Sequence, residues 1–274
     1  MIVHETSDTR QSRARIWNAM LGGGEAYEDD RFVLQKLKAI APDVSLLAVH
    51  EVEFIERAWR HIVGRRGIRQ VIYCGAPIPP GAPPHAADLE SIALGRLERV
   101  VYLEPDAVLS AKGAGYLADN IATVRHVDPL DLPKVDAKLK HYLVWDEPVA
   151  IVAPGVLHWL GEDAAREWLR DLSTMFPQGG YLIASHFLDP EPADPAVVVL
   201  VEQLIQRLDS TGVLAGGFFR RAAAIEALFD GWDLIGPGVV PARDWWPHGP
   251  KLLHIETPCD RLMAGVVATI PRSP

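Results

Sequence analysis

The sequence predicts an α/β protein, a mostly parallel sheet wrapped by helices on both faces and preceded by an N-terminal helical segment. Three observations predict it. Short β-branched runs alternate along the chain with stretches whose apolar residues fall at three- and four-residue steps. The first 64 residues carry only the helical spacing, and the chain closes on two further strand-like segments in the manner of a terminal hairpin. With 274 residues, 49% hydrophobic and 23% charged, the chain is long and apolar enough for a sizeable core.

Each element follows in order. Ile16 and Met20, then Phe32, Leu34, Leu37 and Ile40, then Val49, Val52, Phe54, Ile55, Trp59 and Ile62 mark helices, interrupted by the LGGGEAY loop from Leu21 to Tyr27. QVIYC is a first strand and runs into the loop GAPIPPGAPP. A helix is expected from about Ala86 to Leu97. RVVYLEP gives a second strand that ends on an acid, and ATVRHVD a third. PVAIVAPGVLHWL opens with a fourth. DAAREWLRDLSTMF has helical spacing, and GGYLIASHF is a fifth strand after a Gly-Gly turn. DPAVVVLVEQLIQRL and RAAAIEALFDG read as helices, and WDLIGPGVVPARDWWPHGP and LMAGVVATI as closing strands joined by a long loop. Residues 1–64 are therefore expected to form a helical cap or lid and residues 65–274 the sheet domain, in one compact unit without repeats or linkers.

Composition excludes several function classes. The net charge is −9, with no dense run of Lys or Arg, so the chain has no electrostatic footprint for nucleic acid or an anionic membrane. No apolar run approaches the roughly 20 residues of a membrane span. Cys74 and Cys259 have no ligand or redox spacing and read as packed, reduced thiols. Asp29 with Asp30, and Asp189 with Glu191, lack a metal-loop signature and read as solvated acids or helix caps, so no metal is expected. The expectation is a cytoplasmic protein with a small-molecule partner.

In open α/β sheets, ligands bind beyond the carboxyl ends of the strands. That rule selects Gly75 and Ala76 after the first strand, Glu104 and Pro105 after the second, Asp128 after the third, Pro154 to His158 after the fourth and His186 at the fifth. An acid at the second strand end suits two ribose hydroxyls; a solvated acid is the plainer reading. Asp128 is either a ligand acid or a turn cap. His158 is either a proton acceptor or a ring packed on Trp159. Trp245, Trp246 and His248 either line an acceptor pocket or pack against the sheet edge. The run Gly22 to Gly24 lacks the lysine and hydroxyl of a phosphate loop.

The ordered segments ARIWNAMLGG, GIRQVIYCG, RVVYLEPDAVL, VDPLDL, VLHWL, GGYLIASH and FDGWDLIGPGVVPARDW resemble the actinobacterial S-adenosylmethionine-dependent methyltransferase-like family that carries the domain-of-unknown-function label 574, from about Ser12 to Pro271. The resemblance implies a Rossmann-like class I methyltransferase fold with a helical cap, and S-adenosylmethionine as cofactor. It implies cofactor contacts at Gly22, Gly23, Tyr73, Gly75, Ala76, Glu104, Pro105, Asp128, Pro154 and Gly155, with His158 as base or orienter. Three segments depart from the family pattern. Its Asp-x-Gly-x-Gly turn is here Tyr73 to Pro77, its Gly-Gly-Lys-Asp-Asn-Phe loop is Gly22 to Tyr27, and an Asn-Arg pair is Glu51 and Val52. The strand-end carboxylate for the amino-acid tail is thus absent, and Glu25, Glu51 or Glu53 stands as its replacement. The function implied is methyl transfer to a small molecule, possibly of secondary metabolism. The alternative is a repurposed member, a cyclase or isomerase or a silent ligand-binding protein, in which methyl transfer has been lost.

Overall fold

A computed structural model describes residues 12–78, 97–117, 121–190, 195–211, 217–246 and 257–272. The helix expected from Ala86, the extreme N-terminus and His248 lie outside these residues.

Three helices come first, α1 (Arg13–Met20), α2 (Glu28–Ile40) and α3 (Leu46–Trp59), the last continued by a π-helical turn, Arg60–Gly64. The α1–α2 loop falls where LGGGEAY predicts it. Gly22 takes φ +85 there, and Asp30 of the acidic first turn of α2 accepts the Tyr27 N–H at 2.9 Å. Asp30 is thus a buried helix cap rather than a solvated acid.

The sheet comprises β1 (Gln70–Cys74), β2 (Arg99–Glu104), β3 (Ala122–His126), β4 (Val149–Ala153), β5 (Gly180–Phe187), β6 (Asp233–Leu234), β7 (Val240–Pro241) and β8 (Met263–Ile270), in the order β3-β2-β1-β4-β5-β8-β6 with β7 also on β8. β1 to β5 pair in parallel, and β8 runs antiparallel to β5 over eight residue pairs. Every residue of β1 and of β4 is buried, which is why these strands read as apolar runs, after Gln70 in β1, rather than alternating ones. Their side chains still alternate. Val71 and Tyr73 point into the core shared with α3, and Ile72 and Cys74 into the opposite core.

Two helices absent from the sequence reading follow strands: α4 (Ala107–Tyr116) after β2 and α5 (Leu132–Leu139) after β3. α4 holds Gly113 and Gly115, which blur the helical pattern. Its start is nevertheless fixed by Asp106, whose carboxylate accepts the Val108 and Leu109 N–H groups at 2.9 and 3.1 Å. Asp131 accepts the Lys134 N–H at 3.3 Å and caps α5 in the same way. Further along are α6 (Glu162–Met175), α7 (Pro195–Thr211) and α8 (Ala222–Glu226).

The N-terminal helices are built into the sheet's core. Phe54, Ile55, Ala58 and Trp59 of α3 share one apolar cluster with Val71, Val100, Ala150 and Val267. Gly265 on β8 makes room for α3, since a Cβ there would stand 2.6 Å from the Phe54 ring. Trp245 is fully buried and packs edge-on against that ring, with centroids 5.4 Å apart. Its role is packing at the sheet's closing edge, not the lining of an acceptor pocket.

Candidate functional site

A cavity of about 370 Å³ opens at the carboxyl ends of β1, β2 and β4 and is flanked by α1 and α3. Strand order reverses there, because successive crossovers leave β1 in opposite directions. The volume lies within the range of small-molecule sites.

Glu104, the last residue of β2, is buried against the cavity wall. One carboxylate oxygen accepts the Asp106 N–H at 2.8 Å and the other the Ala76 N–H at 3.0 Å. Burial pushes its carboxyl up to about 7, against the opposing pull of those N–H groups. Gly75, beside it, takes φ +137, and its N–H donates to the Leu103 carbonyl at 2.7 Å. The Tyr73 phenol is buried, and burial, followed by the Glu51 charge, holds its pKa well above the ordinary value, so it stays neutral. Asp128 lines the cavity and also caps its own turn, accepting the Leu130 N–H at 2.9 Å, so the turn-cap reading and the lining position coincide.

The opposite wall centres on Glu51 of α3. Its carboxylate accepts the indole N–H of Trp17 at 2.5 Å and the hydroxyl of Ser185. Ser185 in turn accepts the Gly155 N–H at 2.7 Å. Burial pushes the Glu51 carboxyl up to about 7, partly offset by those two hydrogen bonds. Of the other two acids weighed as replacements, Glu25 lines the cavity and pairs with Lys112, while Glu53 is half exposed and faces His50 and Arg57.

Pro154, Gly155 and His158 complete that wall after β4. Gly155 has φ +63, and a Cβ on it would stand 2.9 Å from the His158 ring. The imidazole stacks on Phe187 with centroids 3.7 Å apart and meets Trp159 edge-on at 4.7 Å. Its Nδ1 has no hydrogen-bond partner among the described residues, so the carbonyl contact of a purely packed histidine is missing. Burial, followed by the nearby His186, Arg13 and Arg220, drives its pKa well below the ordinary value and keeps the ring neutral. His186 does not reach the cavity. Its Nδ1 donates to the Phe187 carbonyl at 2.7 Å, and its Nε2 accepts from Arg220 at 2.6 Å.

The structure thus brings Tyr73, Gly75, Ala76, Glu104, Pro105, Asp128, Pro154, Gly155 and His158 to one cavity. Gly22 and Gly23 do not line it. They shape the turn behind α1, where a Cβ on Gly23 would stand 2.1 Å from the Asn18 amide, so the lack of a side chain there makes room for Asn18. Asn18 and Leu21 reach the cavity instead, with Trp17 and Arg13. The Arg13 guanidinium lies 3.8 Å above the Trp159 ring. These α1 residues escaped the sequence reading because helical periodicity marks which residues are apolar, not which turn of a short helix overhangs a sheet.

Arg15 fastens this overhang. It is buried, pairs with Asp30 at 2.7 Å and Asp106 at 2.8 Å, and so ties α1 to α2 and to the cap of α4. Among the described residues no cluster of three or more His, Cys, Asp or Glu is placed to hold a metal ion, and no helix is long and apolar enough to cross a membrane.

Comparison with known proteins adds a family. The profile of a family described as S-adenosyl methyltransferase matches residues 3–271. A candidate methyltransferase of Thermobifida fusca superposes with a TM-score of 0.82 at 23% identity, over 96% of each chain. A DUF574 family protein of Streptomyces avermitilis superposes with a TM-score of 0.79 at 26% identity, over 96% of this chain and 98% of that one. No curated protein matches this sequence.

Proposed function

The chain belongs to the S-adenosyl methyltransferase family, and from that membership we propose that it binds S-adenosylmethionine in the cavity beyond β1, β2 and β4 and methylates a small molecule, in the setting of secondary metabolism. The observation that carries the reading is Glu104. Two backbone N–H groups fix its carboxylate across the cavity wall, and each oxygen keeps an acceptor position for one of two vicinal hydroxyls. That is the requirement of a ribose. The rest of the lining fits such a group. Gly75 lets the chain pass close by, Asp128 offers acceptors on the β3 side, and Tyr73, Trp17 and Trp159 give an aromatic surround suited to a sulfonium.

When bound, the cofactor supplies an electrophilic methyl group on a cationic sulfur. The chain has to bind, orient and exclude water. His158 is neutral, and its strongly lowered basicity suits it to orienting an acceptor rather than holding the acceptor's proton.

Calorimetric titration with S-adenosylmethionine and S-adenosylhomocysteine tests this reading. Micromolar binding is expected for the wild type. Glu104→Ala is expected to lose at least about 1 kcal/mol, the scale of charge-assisted hydrogen bonds. Unchanged affinity in that variant would remove Glu104 from the site, and no binding at millimolar ligand would remove the cofactor.

One observation favours the second reading, a member that binds without transferring methyl groups. β1 ends in Tyr73, Cys74 and Gly75, and burial keeps the Tyr73 phenol and Cys74 thiol protonated, so no anion stands at the usual strand end. Tight binding without turnover on any acceptor would favour it.

A further inference from the structure

Glu51 is a buried carboxylate without a cation. Its side-chain partners, the Trp17 indole and the Ser185 hydroxyl, are both neutral donors, and its side chain lines the cavity. A buried carboxylate held this way is costly in its charged form unless an opposite charge joins it. The donors also fix its position. Ser185 is itself held by the Gly155 N–H, and Trp17 approaches from α1, so the carboxylate is clamped between β5, the turn after β4 and the overhanging helix. Glu104 stands on β2, and β2 and β4 flank β1, two strand spacings or about 10 Å apart. Glu51 lies against the turn after β4, where a Cβ on Gly155 would stand 3.9 Å from its carboxylate, so a ligand whose ribose sits at Glu104 and which lies across β1 extends toward it.

We propose that Glu51 is one half of an ion pair completed by the ligand, its carboxylate taking the α-ammonium group of the cofactor's amino-acid tail. The assignment rests on the reading of the cavity as an S-adenosylmethionine site, and it moves the tail's anchor from the end of β1 to a helix of the N-terminal cap. Tyr73 on β1 and His158 after β4 face the same region, and burial keeps both neutral. Arg13 on α1 lies on Trp159, while His50 and Glu53 of α3 face Asp260 and Arg57. Of the other acids that line the cavity, Glu25 pairs with Lys112, Asp106 pairs with Arg15, Glu104 is engaged by two backbone N–H groups and Asp128 caps its own turn, which leaves Glu51 as the acid placed to meet the ammonium.

The test is calorimetric titration of the full chain at pH 8 with S-adenosylhomocysteine and, in parallel, with 5′-methylthioadenosine, which keeps the adenosine and the sulfur but lacks the amino-acid tail. The wild type is expected to prefer the tailed ligand by about tenfold or more, the scale of a desolvated ion pair. Glu51→Gln is expected to lose that preference and to keep its affinity for 5′-methylthioadenosine. Retained preference in the variant overturns the proposal. Loss of both ligands by the variant assigns Glu51 to the architecture of the site and overturns the proposal, and a second measurement needs no substitution. Between pH 8 and pH 6 the wild type's affinity for the tailed ligand, relative to the tailless one, is expected to fall about tenfold, because a carboxyl titrating near 7 must be deprotonated to pair. A flat ratio overturns the assignment. A wild type that binds neither ligand overturns the cofactor reading itself and Glu51's role with it, whereas binding of both with equal affinity overturns Glu51 alone.

Discussion

Glu51 and Glu104 each hold a proton near neutrality that their unfolded counterparts release near pH 4.5, because burial lifts both carboxyls to about 7. The folded state binds more protons than the unfolded one between those two values, so their contribution to stability is full below about 4.5 and is lost as pH rises through about 7. His158 and His186 act in the opposite sense. Burial lowers their pKa values, so their contribution is lost as pH falls below the ordinary 6.5. The wild-type profile mixes these slopes, and one substitution separates them. Glu51→Gln keeps the shape and cannot ionise. Its stability relative to wild type is expected to improve by about 2 to 3 kcal/mol between pH 5 and pH 8, read from denaturant midpoints at each pH. A pH-independent difference would mean that the Glu51 carboxyl does not titrate near 7. The sequence could name Glu51 as one of three acids, but its raised pKa comes from burial in the fold, partly offset by Trp17 and Ser185, which lie 34 residues before it and 134 after it.

Among elements, α1 carries more of the site than its eight residues suggest. It presents Arg13, Trp17 and Asn18 to the cavity and is held by Arg15 between Asp30 and Asp106. Removing one partner of a buried ion pair leaves the other charge uncompensated. Arg15→Met is therefore expected to cost about 3 kcal/mol or more, because Asp30 is fully buried, and the loss should appear as a lowered melting temperature. Asp106 is also the cap of α4, and its N–H holds Glu104, so affinity for S-adenosylhomocysteine should fall in the same variant. Full retention of both would show that α1 is seated by apolar packing alone. The strands β1 and β4 were legible because burial on both faces demands an unbroken apolar run. α4 was not, because its glycines lower helical propensity while a single aspartate cap and tertiary contact hold it.

At the scale of the molecule, the cap and the sheet share one core. Phe54 of α3 lies over Gly265 of β8 and against Trp245, so the described N-terminal helices, residues 12–64, share the sheet's apolar core. The expected thermal unfolding is a single cooperative transition. Gly265→Ala drives a Cβ into the fully buried Phe54 ring, and an overpacking cost of about 1 to 3 kcal/mol is expected, with the transition shifted but still single. Two resolved transitions would mean that the N-terminal helices unfold by themselves.

By itself the sequence determined the alternation of strands and helices, the family, and the strand-end residues Gly75, Glu104, Asp128 and His158 that line the cavity. These are local properties: strand ends follow from where an apolar run stops, and an open parallel sheet gathers those ends on one edge. Only the tertiary structure decided that Gly22 and Gly23 serve a turn, that Trp245 is core, and that Glu51, not Glu53 two residues on, faces the cavity without a cation. The physical reason is that burial and charge pairing are set by partners distant in the chain. Burial raises the Glu51 carboxyl, and the hydrogen bonds that partly offset it come from Trp17 on α1 and Ser185 on β5.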